Sequence, residues 1–193
     1  MAEMFQFKDN LVAEMQLSSA LKYRRIYFNE EFSQDSCLKA VYLLNRLEEI
    51  DKRSGNKEDI EIIVNSFGGM IYSGLQLLST ICSMKDKGYK IITTVNGVAM
   101  SMGFMLAIVG SERRSTRYST YLCHQPSSAT WGTLKDMESD VEETKRLWIL
   151  MKDIIKGHTL LTDEELDKIY IEKQDKVYTP QQALEFGICD III

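Results

Sequence analysis

The stretch Gly97-Val98-Ala99-Met100-Ser101-Met102-Gly103-Phe104-Met105 decides how the chain reads. Ahead of it, Tyr89-Lys90-Ile91-Ile92-Thr93-Thr94-Val95 is rich in β-branched residues and predicts a buried strand. Behind it, Phe104 to Val109 continues as an apolar, helix-like run. Ser101 therefore falls where a strand hands over to a helix, with Ala99 and Gly103 small enough to allow a tight turn. A serine at such a turn projects its hydroxyl above the sheet, beside N–H groups that have no intrahelical acceptor. That is the logic of a nucleophile elbow, although Ala99 breaks the strict G-x-S-x-G pattern. The same position also suits a plain helix N-cap, and the stretch alone leaves both readings open.

Upstream, Ile60-Glu61-Ile62-Ile63-Val64 predicts a second buried strand. It leads through Asn65-Ser66-Phe67-Gly68-Gly69-Met70 into a helix carrying Ile71, Leu75, Leu78, Ile81 and Met84. Strand, double glycine, helix and strand make a βαβ unit with a right-handed crossover. The glycines serve either a turn that needs positive φ or a backbone N–H left bare for an anion or developing oxyanion. Neither G-x-G-x-x-G nor G-x-x-x-x-G-K-[ST] is present, so a nucleotide phosphate cradle has little support. Further upstream, Tyr23 to Phe28 reads as a first strand, and Ser33 caps a helix through Leu38, Val41, Leu44 and Leu47. Met1 to Leu17 shows no clear period and reads as a tail or an arm that orders in an assembly.

Downstream, Glu112 to Ser119 reads as a charged connector, and Thr120-Tyr121-Leu122-Cys123 as a strand ending in His124-Gln125-Pro126. Lys135 to Lys156 reads as one helix, with Met137, Val141, Thr144, Trp148, Met151 and Ile155 spaced by four and three. Such a stripe packs either on the chain's own core or on another subunit. The second use predicts a large assembly that charges at Trp148 and Met151 would break. Thr162-Asp163-Glu164-Glu165 is a capping box opening a helix to Tyr170. Asp175 lies in the loop that follows. Tyr178-Thr179-Pro180 opens a last helix stopped by Gly187, and Ile188 to Ile193 reads as a final strand.

The chain has 193 residues, enough for one domain with a full core. Its net charge of −5 argues against binding nucleic acid through phosphate contacts. The four cysteines are scattered without a C-x-x-C pair, so neither a zinc site nor a disulfide framework is expected. The N-terminus lacks a basic start and apolar core, and the run Val98 to Gly110 is too short to span a bilayer. A soluble cytoplasmic protein with no membrane contact is the expectation.

Ser101, the strand-end His124 and a carboxylate could form a nucleophilic system. A serine hydroxyl needs an imidazole to take its proton, and the imidazole needs a carboxylate to hold its tautomer. His158 is the other histidine, and its place near a helix end also suits imidazolium. Nothing in pattern or spacing singles out which carboxylate would serve.

From about Tyr23 to Ile192 the chain resembles the ClpP family of serine endopeptidases, the proteolytic subunits of ATP-dependent Clp proteases. The resemblance rests on several motifs in order: Asn65-Ser66-Phe67-Gly68-Gly69, Gly97 to Gly103, and His124-Gln125-Pro126 with Gly132 and Asp136. His158-Thr159, and Asp175 ahead of Tyr178-Thr179, Ala183, Glu185-Phe186-Gly187 and Asp190, complete the series. It implies an α/β fold with a crotonase-like, repeated ββα core and a projecting handle helix. That is a single peptidase domain, with residues 1–20 as an N-terminal arm and about 125–170 as the handle region.

The resemblance implies Ser101 as nucleophile, His124 as general base and acid, Asp175 as orienting carboxylate, and the Gly69 and Met102 N–H groups as oxyanion hole. His158 falls on a non-catalytic position. No metal or cofactor is implied, ATP being used only by a partner ATPase. The implied partners are peptides and unfolded proteins, further copies in stacked heptameric rings (a tetradecamer), and an AAA+ unfoldase.

This sequence departs from the family pattern at Phe67, where proline is usual, and at Ser127-Ser128-Ala129, where glycines are usual. Gln174 stands in place of an arginine, and about two extra residues lie between His158 and Ile169. Glu61 and Ile63 occupy positions where tyrosines commonly line the ATPase-docking cleft. A phage prohead-maturation type of the same protease, a catalytically silent ring subunit, and an acyl-CoA enzyme on the shared core are the competing readings. The last has no use for Ser101, His124 and Asp175 together.

Overall fold

The computed structural model describes residues 2–127 and 129–193, with side chains from Leu11 onward. Met1 of the arm and Ser128 of the Ser127-Ser128-Ala129 departure lie outside the described residues. The elements run α1 (Ala2–Tyr23), β1 (Arg25–Phe28), α2 (Gln34–Ser54), β2 (Ile60–Ser66), α3 (Ile71–Asp86), β3 (Ile91–Met100) and α4 (Met102–Ile108). They continue with β4 (Glu112–Ser115), β5 (Thr120–Cys123), α5 (Leu134–His158), α6 (Asp163–Ile171), β6 (Lys176–Tyr178), α7 (Pro180–Glu185) and β7 (Ile191–Ile192).

One sheet runs β1-β2-β3-β4-β7, all parallel, and β3 also carries a branch through β5 to β6. The branch is possible because β3 is long. Its first half, Ile92 to Val95, pairs with β4, and its second half, Val98 to Met100, pairs with β5. The side chains of α4 are buried on every face, so this short helix forms the centre of the core rather than a lid on it. Local chemistry agrees with these boundaries. Ser33, Thr133, Thr162 and Thr179 each close a capping box, and Gly55 ends α2 in the left-handed conformation.

Three expectations change. Residues 2–17 are helical, continuous with α1, where the sequence shows no period. The reason is visible on the described part of α1, where Leu11, Val12, Met15, Leu17 and Leu21 are all exposed and only Ala20 is fully buried. Among these described side chains the apolar ones are not gathered on one buried face. Glu112–Ser115 is a strand rather than a connector, its charges tolerated because they pair along the sheet surface. The stripe on α5 divides: Trp148, Met151 and Ile155 are buried in this chain's own core, whereas Leu134, Met137 and Val141 are exposed. Trp148 stacks on Tyr170, with ring centroids 5.4 Å apart. Trp148 and Met151 thus hold the fold, and the part of the stripe left exposed lies on the first half of α5. Among the described residues, no helix is long and apolar enough to cross a membrane.

Candidate active site

The site begins at the bulge in β3. Val64 pairs with Val95 but Ser66 pairs with Ala99, so β3 carries more residues than β2 across this interval. Asn65 occupies the gap, its Oδ1 accepting the Val98 N–H at 3.0 Å. Gly97 admits it. Its φ is +117°, and a Cβ there would lie 2.4 Å from Asn65 Oδ1. We expect Gly97→Ala to destabilise the fold by about 2–4 kcal/mol, through backbone strain and overpacking together. It should also displace Ser101. Thermal denaturation with fluorophosphonate labelling checks both effects, and an unchanged melting temperature would remove this account of the bulge.

Beyond the bulge, β3 ends at Met100 and Ser101 turns the chain into α4. Ser101 has φ 54° and ψ −121°, a conformation rarely adopted by a residue with a side chain. Its backbone N–H donates to Leu122 O at 3.0 Å, and its carbonyl accepts from Met105 N at 3.2 Å. Its hydroxyl caps nothing. The plain N-cap reading therefore gives way: the backbone is outside the extended region that N-caps use, and the side chain does not satisfy a helix N–H. What remains is the strained elbow with a half-buried hydroxyl.

The double glycine packs directly on this elbow. Gly68 has φ +103°, and a Cβ on it would lie 2.5 Å from Ser101 Cβ and 2.8 Å from Met100 O. On the other side the turn is clamped by Phe32, whose N–H donates to Gly68 O at 2.7 Å and whose carbonyl accepts from Met70 N at 2.6 Å. A Cβ on Gly69 would strike that carbonyl at 2.5 Å. Both glycines are thus required by close backbone approach as well as by φ. Among the described residues, neither the Gly69 N–H nor the Met102 N–H has an acceptor.

The branch of the sheet gathers the remaining candidates. β5 lies parallel to the end of β3, with Met100 opposite Leu122. β6 lies antiparallel to β5, with Cys123 opposite Lys176. Continued by one residue, that register sets His124 against Asp175. Ser101, His124 and Asp175 therefore occupy the ends of three adjacent strands. His124 and Asp175 line one groove of about 420 Å³, together with residues of α5 and α6. Ser101 does not line it, and among the described residues no hydrogen bond joins Ser101 to His124 or His124 to Asp175.

Cys123, next to His124, offers no thiolate alternative. Burial pushes its thiol up to about 12, and the Asp175 carboxylate adds to the rise. His158 lies elsewhere, at the end of α5, where Nδ1 contacts Ile154 O at 2.9 Å and Arg113 donates to its carbonyl. No group of three or more His, Cys, Asp or Glu residues that could hold a metal ion occurs among the described residues.

The positions expected to serve partner docking separate. Ile63 lines a cleft of about 690 Å³ under α1, with Val12, Met15, Tyr23 and Tyr27. Glu61 is instead tied into polar contacts across the sheet surface: Arg25 Nε at 2.7 Å, Thr94 Oγ1 at 2.7 Å and Arg114 at 3.9 Å. Sequence reading missed Asn65 and Phe32 as the residues that shape the elbow, and Lys145, Tyr170 and Lys173 as groove walls. Asn65 within a β-branched strand was a readable anomaly, whereas the groove residues come together only through tertiary packing.

The Clp protease family model matches residues 9–193. Over 179 residues, 91% of this chain, it is 30% identical to the ATP-dependent Clp protease proteolytic subunit 1 of Prochlorococcus marinus subsp. pastoris, covering 86% of that protein. It is 28% identical to the proteolytic subunit 2 of Synechococcus sp. (strain CC9605), with the same coverage of both chains. It is 30% identical to the proteolytic subunit of Deinococcus radiodurans over 139 residues, 71% of this chain and 66% of that one.

Proposed function

We propose, from the premise that this chain belongs to the Clp protease family, that it is a serine endopeptidase whose triad is Ser101, His124 and Asp175. Ser101 Oγ attacks the peptide carbonyl while His124 takes its proton, and the same imidazole then protonates the leaving amine. Water attacks the resulting Ser101 acyl-enzyme by the reverse path. Asp175 holds the imidazole tautomer and stabilises its charge. The bare N–H groups of Gly69 and Met102 would receive the oxyanion, each such donor contributing about 3 kcal/mol in the transition state. None of these steps calls for a metal or cofactor. The observation that carries the reading is the convergence of the strained Ser101 elbow with the β5–β6 register that sets His124 against Asp175. The test is covalent labelling by a fluorophosphonate mapped to a residue. Label on Ser101 is expected, and label on another serine would overturn the assignment.

In this reading the single domain carries residues 1–20 as an arm and about 125–170 as a handle. Its copies stack as heptameric rings whose chamber encloses the sites, in the cytoplasm. Peptides enter freely; folded proteins need an AAA+ unfoldase, because unfolding costs about 5–15 kcal/mol. The ion pairs at Glu61 supply a charged surface where such a partner would seek apolar contact, and covering paired charges carries a desolvation cost that their mutual attraction need not repay. We expect weak stimulation by a generic Clp ATPase, and stronger stimulation after Glu61→Tyr with Ile63→Tyr. ATP-dependent degradation of a tagged folded substrate measures it. Strong degradation by the natural chain would show that the surface tolerates Glu61.

One observation favours a second reading. The separation of Ser101 from the His124–Asp175 groove suits a silent or regulatory ring subunit. Failure of label at every concentration would favour it.

A further inference from the structure

The groove beside His124 and Asp175 is walled by α5, through Val141, Thr144 and Lys145, and by Tyr170 and Lys173 beyond it. The charged groups facing it are Lys145, Lys173 and Asp175, with His124 between strand end and groove. The lysines differ from their neighbours. On α5, Lys135 pairs with Glu138, Lys152 with Asp163 and Asp167, and Lys156 with Asp163. On α6, Lys168 pairs with Glu164. Lys145 and Lys173 have no ion pair or hydrogen-bond partner among the described residues. In a chain of net charge −5, two unpaired cations converge on the groove that holds two proposed catalytic groups.

Lys173 carries a second mark. It follows Glu172, the C-cap of α6, and has φ 53°. That left-handed position is ordinarily filled by glycine, and a lysine there costs about 1 kcal/mol. A side chain kept at a strained position and lining a groove points to a use for its head group.

We infer that this groove is a subsite for acidic side chains of the peptide substrate, with Lys145 and Lys173 as its cationic contacts. The inference rests on the triad reading above, in which Asp175 is committed to His124 and leaves the two ammonium groups to the substrate. Both lysines are exposed, so the selectivity is modest and falls with salt.

The experiment uses quenched fluorogenic peptides with Glu, Ala or Lys at successive positions on either side of the cleaved bond. The natural full-length chain is compared with Lys145→Ala combined with Lys173→Gly, the latter suited to the left-handed backbone. Glu peptides should be cut with kcat/KM about fivefold above their Lys counterparts at one or two positions. The ratio should approach unity in the double variant and at high salt. A flat series with the natural chain overturns the inference. So does a double variant that keeps the ratio, or one that changes only the sedimentation of the assembly, which would assign the lysines to a second copy. If no peptide is cut at all, the triad reading fails, and fluorescence anisotropy of labelled Glu-rich and Lys-rich peptides then decides the groove alone. Preference for the Glu-rich peptide, lost in the double variant, sustains the inference; equal binding ends it.

Discussion

Ser101→Ala and His124→Ala should each lower peptide hydrolysis by about four to six orders of magnitude, while His158→Ala should leave it within about twofold. The two histidines make the comparison sharp because the structure gives them different surroundings. His124 follows the end of β5 and lines the groove with Asp175. His158 ends α5, its ring bonded to Ile154 O and its carbonyl held by Arg113. On the proposed triad, removing the imidazole at 124 leaves the Ser101 hydroxyl without a base, and a free alcohol is almost unionised at neutral pH. Removing it at 158 forfeits one local hydrogen bond, a matter of stability of about 1 kcal/mol. Asp175→Asn should fall nearer the first class, by about four orders of magnitude, because an amide favours the wrong imidazole tautomer. Steady-state kinetics with a fluorogenic peptide, alongside thermal denaturation, separates the two outcomes. Equal losses at His124 and His158, or full turnover in Ser101→Ala, would dismantle the assignment.

Much of this geometry was legible because it is local. The strand at Tyr89, the glycines at 68 and 69 and the serine at 101 each carry a short-range signal, and they read as one βαβ unit. The helix starts at Ser33 and Thr179 and the capping box at Thr162 were equally plain. Asp175 was not. It is exposed on a loop, and only the antiparallel β5–β6 pairing relates it to His124. β6, Lys176–Tyr178, is three residues long and has no periodicity to read. Resemblance to a family, rather than pattern, supplied that residue. The stripe on α5 shows the opposite failure, a strong signal with two causes. Periodicity reports that Met137 and Trp148 share a face, but not that the core ends between them. Charged residues on β4 concealed a strand for a related reason: parallel pairing with β3 and β7 satisfies the backbone whatever the side chains carry.

That division of α5 gives the second large effect, in which two sets of charges on one helix have opposite consequences. Trp148→Glu should leave the chain unfolded. Trp148 is 4% exposed and stacked on Tyr170, with Met151 and Ile155 following on the same face. Deleting the indole costs about 3–5 kcal/mol on its own. The new carboxylate would also lack a partner among these side chains, which adds several kcal/mol more. The sum approaches the whole stability of a domain, about 5–15 kcal/mol. Leu134→Glu with Met137→Glu should do the reverse. These side chains are 74% and 40% exposed, so charging them costs the isolated fold little, within about 0.5 kcal/mol each. If the first half of α5 joins one ring to another, the same pair of charges faces its counterpart and should dissolve the assembly. Circular dichroism with analytical ultracentrifugation reads both quantities at once. The expected pattern is a lost melting transition for Trp148→Glu, and a folded but smaller particle for the Leu134–Met137 pair. A Trp148→Glu chain that stays folded would refute the burial argument. A Leu134–Met137 variant sedimenting like the natural chain would place the contact between copies elsewhere than on this helix.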